Sequence, residues 1–204
     1  MSVVTIYMEG GGDDDERQAA LRTGMESFLQ RGMADGASSL RVVPCGGRSD
    51  AFARFRRAVV GGQDRVAVLL VDSEQRVTVA TARAHLLQRP EDGWDLSFAT
   101  EDRVHLMIQT METWIVADGQ ALALYYGEGF DQDQLPDTDD LEAVRKQSVL
   151  NALKRATESS ARKRFHKVWH ARDMLAKIDP ETVQTRCPAC RRLFETLAKE
   201  IGRR

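Results

Sequence analysis

The N-terminal stretch reads Val3-Val4-Thr5-Ile6-Tyr7-Met8-Glu9-Gly10-Gly11-Gly12, an apolar and β-branched run that ends in a lone glutamate and three glycines. A second run, Val66-Ala67-Val68-Leu69-Leu70-Val71, ends in the same manner at Asp72-Ser73-Glu74. Short, continuous apolar runs are typical of strands that are buried on both faces. Two further runs, at 40–43 and 104–108, bring the number of predicted strands to four.

Helical periodicity separates the predicted strands. Apolar residues recur about every 3.6 positions in Arg17–Met33 and again in Asp50–Val60, and a glycine follows each stretch within a few positions. Alternating strands and helices imply right-handed crossovers and a parallel sheet with helices on its faces. The predicted fold class is therefore α/β.

The C-terminal part of the chain reads as helical. Short helices are predicted at Thr81–Gln88 and from Met111 onward, and 130–140 is the best linker candidate because it contains a proline and many aspartates. Further helices are predicted at 148–157, 166–178 and 190–201. We expect an α/β domain over residues 1–130 and a basic helical extension, packed on it, over residues 131–204.

The composition is that of an ordinary globular protein of 204 residues, of which 42% are hydrophobic and 29% charged. No apolar stretch approaches the roughly 20 residues of a membrane span, and the N-terminus lacks the pattern of a signal peptide. The three cysteines do not make a disulfide framework. We therefore expect a cytoplasmic protein without membrane association.

Charge is divided unevenly along the chain. Residues 1–144 carry 13 Lys/Arg and 25 Asp/Glu, whereas residues 145–204 carry 16 and 6, which together give the formal net charge of -2. The first part collects carboxylates, while the second can attract phosphate. A basic helical face is also commonly a plain solvated surface, so charge alone leaves both interpretations open.

The acids at the predicted strand ends suggest a metal site. In an open parallel sheet, ligands bind beyond the carboxyl ends of the strands, which is where Glu9, Asp72 and Glu74 lie. Neighbouring strands about 4.8 Å apart would bring these carboxylates within reach of one ion. Hard oxygen ligands select Mg²⁺ or Mn²⁺ over zinc. Either strand-end acid alone is more simply an acid of a turn or helix start, but the two together favour the metal.

Gly10 and Gly11 permit a sharp turn and a close approach to a ligand, so the loop also invites interpretation as a phosphate cradle. The acids at 13–16 directly follow the loop and would repel a bare phosphate. A bridging metal resolves that conflict. The last of these acids also suit the first turn of a helix, where the helix dipole favours negative charge.

Four motifs together resemble the DUF4276 family of small, Toprim-like proteins. They are Glu9-Gly10-Gly11-Gly12, Cys45-Gly46-Gly47-Arg48-x-Asp50, Leu70-Val71-Asp72-Ser73-Glu74 and His105-Leu106-Met107-x-Gln109-x-Met111-Glu112-x-Trp114. The strand-end acids are also similar to the Toprim core of topoisomerases, primases and OLD-type nucleases. The usual second motif of that core is Asp-x-Asp, whereas here it is Asp72-x-Glu74.

The resemblance implies a Toprim-like sheet and a metal-dependent nuclease that cleaves the phosphodiesters of DNA or RNA. It also implies a gene beside that of an ATPase in a bacterial anti-phage defence locus. Glu9, Asp72 and Glu74 would hold Mg²⁺ or Mn²⁺ and act in catalysis. Two alternatives stay open, and an oligomer is compatible with each: a non-catalytic or conditionally active subunit of an ATPase complex, and a small-nucleotide phosphohydrolase.

Other residues are candidates for completing the site. Glu112, which follows the fourth predicted strand, is either a supporting ligand or water-positioning base, or a surface acid of a helix. Arg48 either clamps a phosphate bidentately or pairs with Asp50. The basic section begins with Lys146, Lys154 and Arg155. One of them could neutralise the charge of the transition state; otherwise each is a contact to a nucleic-acid backbone or plain surface.

A zinc site is a further alternative in the C-terminal part. His166 and His170 are four positions apart, and Cys187 and Cys190 form a Cys-x-x-Cys pair, which are ligand types that zinc uses. The order of the two pairs is unusual. Pro188 within the cysteine pair can simply begin a helix at its first position.

Overall fold

The computed structural model describes residues 3–33, 39–162, 164–166 and 172–202. Within these ranges the strands are β1 (Val4–Met8), β2 (Leu40–Pro44), β3 (Val66–Asp72) and β4 (Val104–Met107). All pair in parallel, in the order β2-β1-β3-β4. Helices flank this sheet, so the predicted α/β class is confirmed.

The α-helices that lie wholly within the described residues are α1 (Asp15–Arg31), α2 (Arg48–Val60), α3 (Ala82–Leu87), α4 (Met111–Val116), α5 (Gly119–Tyr126), α6 (Lys146–Ala156), α7 (Pro180–Arg186) and α8 (Pro188–Gly202). The sequence analysis does not predict α7. Its start is nevertheless typical of a helix, because Asp179 caps it through the Thr182 N–H and Pro180 occupies its first turn. The helix predicted at 166–178 lies partly outside the described residues, of which 172–175 are helical.

The register of the sheet brings the acidic strand ends together. Strand β3 is buried at all seven positions and lies between β1 and β4. Met8 pairs with Leu70, and Asp72 pairs with Met107. The Glu9 N–H donates to the Leu70 carbonyl at 3.0 Å, so Glu9 leaves β1 directly beside the end of β3.

Separate hydrophobic clusters cover the two faces of the sheet, because side chains alternate between the faces along each strand. On one face, Phe55 of α2 packs in a cluster with Leu69 and Val71 of β3. On the other face, Ile6 of β1 shares a cluster with α1 and with Leu193 of α8. The helical C-terminal region therefore shares a hydrophobic core with the sheet. The domain boundary predicted at residue 130 stays a prediction.

Two further expectations from the sequence concern a membrane span and a zinc site. None of the helices in the described ranges is both long and apolar enough to cross a bilayer. Cys187 and Cys190 are free thiols in the core, and burial raises the pKa of both. His166 is exposed, and His170 lies outside the described residues. The zinc alternative is therefore untested.

Candidate metal centre

Three carboxylates converge at the carboxyl ends of β1 and β3. Glu9 directly follows β1, Asp72 is the last residue of β3, and Glu74 lies two residues further on. One oxygen of each carboxylate lies within 4.8 Å of the corresponding oxygens of the other two. The structure thus brings together the three metal ligands that the sequence analysis proposes.

Asp72 is the most firmly held of the three, and only 5% of the residue is exposed. Its Oδ1 accepts a hydrogen bond from the Met111 N–H at 2.9 Å, and its Oδ2 accepts one from the Thr110 hydroxyl at 3.1 Å. The Lys146 Nζ lies 3.5 Å from the same Oδ2. A buried carboxylate needs such donors, and these fix its orientation.

Glu74 has a left-handed backbone conformation, with a φ of 64°. That conformation costs a non-glycine residue about 1 kcal/mol or more, so the surrounding structure has to impose it. The Glu74 N–H donates to the Gln109 carbonyl at 3.0 Å, and the Ser73 N–H donates to the Met107 carbonyl at 3.0 Å. The two bonds continue the pairing of β3 with β4 past the end of the sheet and hold Glu74 beside Asp72.

Lys146 supplies a positive charge to the three carboxylates. Its Nζ lies 2.7 Å from Oε1 and 2.8 Å from Oε2 of Glu74. Burial alone would lower the pKa of Lys146, but the hydrogen bond to Glu74 and the charges of Asp72 and Glu74 raise it, so the side chain stays protonated. Lys146 is the first residue of α6, and the C-terminal region therefore contributes directly to the site.

Glu9 is held less tightly than Asp72. Its Oε2 accepts a hydrogen bond from the Asp72 N–H at 3.2 Å and lies 3.7 Å from Nη1 of Arg48. Burial raises the pKa of Glu9 and outweighs the attraction of Arg48, and the nearby charge of Glu74 raises the pKa further. A partly desolvated carboxylate among like charges is a group that gains from a cation.

Arg48 orients the end of β3 instead of projecting into open solvent. Its Nη1 donates to the Asp72 carbonyl at 3.0 Å, and its Nη2 donates to Asp92 at 2.6 Å. The guanidinium carbon lies 5.0 Å from the centre of the Trp94 ring. Arg48 therefore pairs with Asp92, and the alternative pairing with Asp50 is wrong. Its predicted contact with a phosphate stays a prediction.

Glu112 lies behind Thr110 and outside the carboxylate cluster. It is fully buried, so the alternative of a surface helix acid is wrong. The Thr110 hydroxyl contacts both Oε2 of Glu112 and Oδ2 of Asp72. This geometry favours a positioning role for Glu112, through Thr110, and its predicted role as ligand or base stays a prediction.

The glycine loop packs closely against its neighbours, as its sequence suggests. Gly10 and Gly11 have φ angles of 128° and 87°, which side chains rarely adopt. A Cβ on Gly10 would lie 2.7 Å from a methyl carbon of Leu21 in α1. The Gly10 N–H donates to the Gly46 carbonyl at 2.8 Å, and the Gly46 N–H donates back at 2.9 Å. These bonds anchor the chain just after Glu9.

A cavity of about 260 Å³ opens in front of Glu9 and Asp72, whereas Glu74 and Lys146 line a separate pocket. Its lining combines acidic, apolar and basic side chains with the glycine loop, namely Glu9, Gly10, Gly11, Gly12, Arg17, Leu21, Gly46, Asp72, Met111 and Arg172. Gly24 of α1 sets the position of Arg172, because a Cβ on Gly24 would lie 2.5 Å from the Arg172 carbonyl oxygen. Two arginines and two candidate metal ligands therefore line one cavity, and the Arg172 Nε also donates to Asp173 at 2.9 Å.

Lys154 and Arg155 are exposed residues near the end of α6. Lys154 follows Lys146 by eight positions on this helix, which corresponds to about 12 Å along the helix axis. Arg155 Nε donates to the side chain of Gln134 at 3.1 Å. Both residues lie outside the carboxylate cluster, and their contact with a nucleic-acid backbone stays a prediction.

The donor set of the cluster fits a hard divalent cation. All three groups offer carboxylate oxygens, the ligands that Mg²⁺ and Mn²⁺ prefer. Oxygens around an octahedral Mg²⁺ lie about 3 to 4.2 Å apart, and the limit of 4.8 Å found here differs only slightly from that range. The Lys146 ammonium between Glu74 and Asp72 shows that the cluster attracts positive charge. The cluster can therefore hold a metal ion.

Several residues of the site are missed by the sequence analysis. Thr110 and Gln109 lie in the loop between β4 and α4, and Gln109 belongs to a motif that carries the family resemblance. That motif is a signal which could have identified them. Arg17 and Arg172 carry no such signal, because only the packing of the C-terminal region on α1 brings them to one cavity.

One protein-family model matches the chain from the end of β1 into α8. A family model described as "Domain of unknown function (DUF4276)" matches residues 8–198. The matched residues include the three carboxylates, Lys146 and the C-terminal helices. No curated protein and no solved structure matches the chain.

Proposed function

The chain belongs to the DUF4276 family, and we propose that it hydrolyses nucleic-acid phosphodiesters with Mg²⁺ or Mn²⁺ held by Glu9, Asp72 and Glu74. The observation that carries this proposal is the convergence of the three carboxylates within 4.8 Å at the carboxyl edge of a parallel sheet. The acids at adjacent strand ends also support the Toprim-like resemblance. An ATPase partner and a role in anti-phage defence rest on that resemblance alone.

The roles of the chain's own residues follow from their contacts. A divalent ion in such a site lowers the pKa of water and withdraws charge from a phosphoryl group. Thr110 and the Met111 N–H fix the orientation of Asp72. Arg48 holds the Asp72 carbonyl, and the Lys146 ammonium places a positive charge beside Glu74 and Asp72.

The cavity in front of the carboxylates supports a substrate that carries phosphate. Arg17 and Arg172 line it together with Glu9 and Asp72. Guanidinium groups bind phosphate oxygens in a bidentate manner and stay charged at any physiological pH. A phosphate group that enters the cavity would therefore meet both arginine side chains and two of the candidate metal ligands.

The proposal is tested by cleavage of labelled single-stranded DNA, duplex DNA and RNA with Mg²⁺ or Mn²⁺. Glu9→Gln keeps the shape of the side chain and removes its charge, so we expect at least about a hundredfold loss of rate. Asp139→Asn is the matched control, since Asp139 is an exposed acid outside the site. Cleavage by Glu9→Gln at the wild-type rate would contradict the proposal. Metal binding without cleavage would favour a conditionally active subunit.

A small-nucleotide phosphohydrolase is a second candidate, and one observation favours it. The two cavity arginines lie with the carboxylates, whereas Lys154 and Arg155 are exposed about 12 Å further along α6. The double variant Lys154→Ala/Arg155→Ala separates the candidates. A nuclease that uses these residues should lose nucleic-acid cleavage several-fold, while hydrolysis of a mononucleotide ester stays constant. If neither activity falls and the mononucleotide is the better substrate, the second candidate is correct.

A further inference from the structure

The Lys146 ammonium lies between two of the candidate metal ligands. Its Nζ is 2.7 Å and 2.8 Å from the two oxygens of Glu74, and 3.5 Å from Oδ2 of Asp72. Both Glu74 oxygens therefore already contact a positive charge. In sites with two metal ions, a carboxylate commonly contacts both ions, which lie about 3.5–4 Å apart. The ammonium occupies the kind of position that a second ion would take.

Gln109, which is only 4% exposed, holds Lys146 in this position. The Gln109 carbonyl accepts the Glu74 N–H at 3.0 Å, and its side-chain oxygen accepts the Lys146 N–H at 3.3 Å. The Gln109 amide also lies 3.4 Å from the carbonyl of Ala143, just before α6. One buried residue thus holds the backbones of both partners, Glu74 through its carbonyl and Lys146 through its side chain, so the contact does not depend on a flexible lysine alone.

The formal charges of the cluster are those that a single divalent cation would balance. Three carboxylates carry three negative charges when ionised, and the Lys146 ammonium offsets one of them. Arg48 also lies 3.7 Å from Oε2 of Glu9, but its shortest ion pair is with Asp92, at 2.6 Å, so we count its charge with that carboxylate. The two remaining negative charges would be balanced by one divalent cation. A second divalent cation would face both an excess of positive charge and the adjacent ammonium.

We propose that this centre binds one divalent cation and that Lys146 takes the place of the second cation of a two-metal site. The inference rests on the proposed function, because it specifies the occupancy of the same carboxylates. Glu9 and Asp72 would be the principal ligands of the ion. Glu74 would mainly orient Lys146, whose ammonium would then remain a fixed positive charge beside Asp72.

Calorimetric titration with Mn²⁺ alone tests the stoichiometry, and the electron paramagnetic resonance spectrum of bound Mn²⁺ distinguishes an isolated ion from a coupled pair. The informative variant is Lys146→Met, which keeps the length of the side chain and removes the charge. Lys146→Arg keeps the charge and should behave as wild type. Lys154→Met is the matched control on the same helix, and circular dichroism checks that each variant is folded.

The proposal expects one Mn²⁺ in wild type, Lys146→Arg and Lys154→Met, and two coupled ions in Lys146→Met over the concentration range in which wild type binds one. Two ions in wild type would overturn the inference and leave the metal site standing. One ion in Lys146→Met, with unchanged or tighter binding, would also overturn it, since tighter binding means that Lys146 competes for the first position. No binding by wild type would refute the proposed function itself.

Discussion

The Thr110 hydroxyl provides the sharpest test of how the carboxylate cluster is held. It joins Oδ2 of Asp72 to Oε2 of Glu112, and all three residues are buried. Thr110→Val keeps the shape of the side chain and replaces the hydroxyl by a methyl group. We predict that this substitution lowers the free energy of unfolding and weakens the binding of Mn²⁺.

The magnitude follows from the number of protons on the hydroxyl. A hydroxyl carries one proton and donates to one carboxylate at a time, so the substitution removes one hydrogen bond to a charged group. Such a bond contributes about 1.5–3 kcal/mol. For a chain of this length, a loss of about 2 kcal/mol lowers the melting temperature by about 4–8 °C. Loss of a group that orients a metal ligand weakens metal binding by about 10- to 100-fold.

Thr113→Val is the matched control for this prediction. Thr113 is also fully buried in α4, but its hydroxyl has no hydrogen-bond partner among the described residues. Removing an unpartnered hydroxyl should leave the stability unchanged or raise it slightly. Urea denaturation and Mn²⁺ calorimetry on both variants give the comparison. Equal free energies of unfolding for Thr110→Val and Thr113→Val, or wild-type Mn²⁺ affinity in Thr110→Val, would refute the reasoning.

Three further predictions concern the loop, a buried histidine and the arginine of α2. Gly10→Ala should destabilise the fold by at least about 2 kcal/mol in urea denaturation, because its φ of 128° is one that side chains rarely adopt and its Cβ would also displace the Leu21 side chain, whereas Gly12→Ala, at a φ of 60° and with nothing within 4 Å, should cost clearly less. Burial lowers the pKa of His105 from 6.5 to about 4, so below pH 6.5 the unfolded chain binds a proton at this residue that the folded protein does not. The free energy of unfolding is therefore unaffected by the charge of His105 above pH 6.5 and decreases as the pH falls towards 4. The loss is about 3 kcal/mol, and His105→Leu should remove that part of the pH dependence of unfolding. Arg48→Ala removes the hydrogen bonds to the Asp72 carbonyl and to Asp92 and should lower the free energy of unfolding by about 2 kcal/mol, while exposed Arg54→Ala changes it by less than about 0.5 kcal/mol; equal effects of the two would contradict the role given to Arg48.

The fold is largely predictable from the sequence because its strongest local signals agree with its tertiary packing. Strand β3 is buried at every position, and its continuous apolar sequence predicts this burial. Helix α1 carries both its apolar period and an N-cap, Asp14, which accepts the Arg17 N–H at 2.8 Å. Helix α7 is short, and its apolar pattern is too brief to be recognised without attention to the Asp179-Pro180 start.

The site is only partly predictable, since part of it depends on contacts between residues far apart in the chain. The carboxylates of Glu9 and Asp72 follow from the strand ends and from parallel pairing. The contact of Lys146 with Glu74 joins residues 72 positions apart, and no local pattern selects this lysine from the other basic residues of the C-terminal region. Glu112 shows a further limit, because its place in a first helical turn is also compatible with a surface acid, and only the structure shows that it is fully buried.

The central claim is that the three converging carboxylates form a divalent-metal site, and calorimetric titration of Mn²⁺ into wild type, Asp72→Asn and Asp139→Asn tests it most directly. Asp72 is 5% exposed and lies at the centre of the cluster, whereas Asp139 is an exposed acid outside it. The account predicts saturable binding by wild type and by Asp139→Asn, and at least about a hundredfold weaker binding by Asp72→Asn. Absence of binding by wild type, or equal affinities in all three proteins, would contradict it.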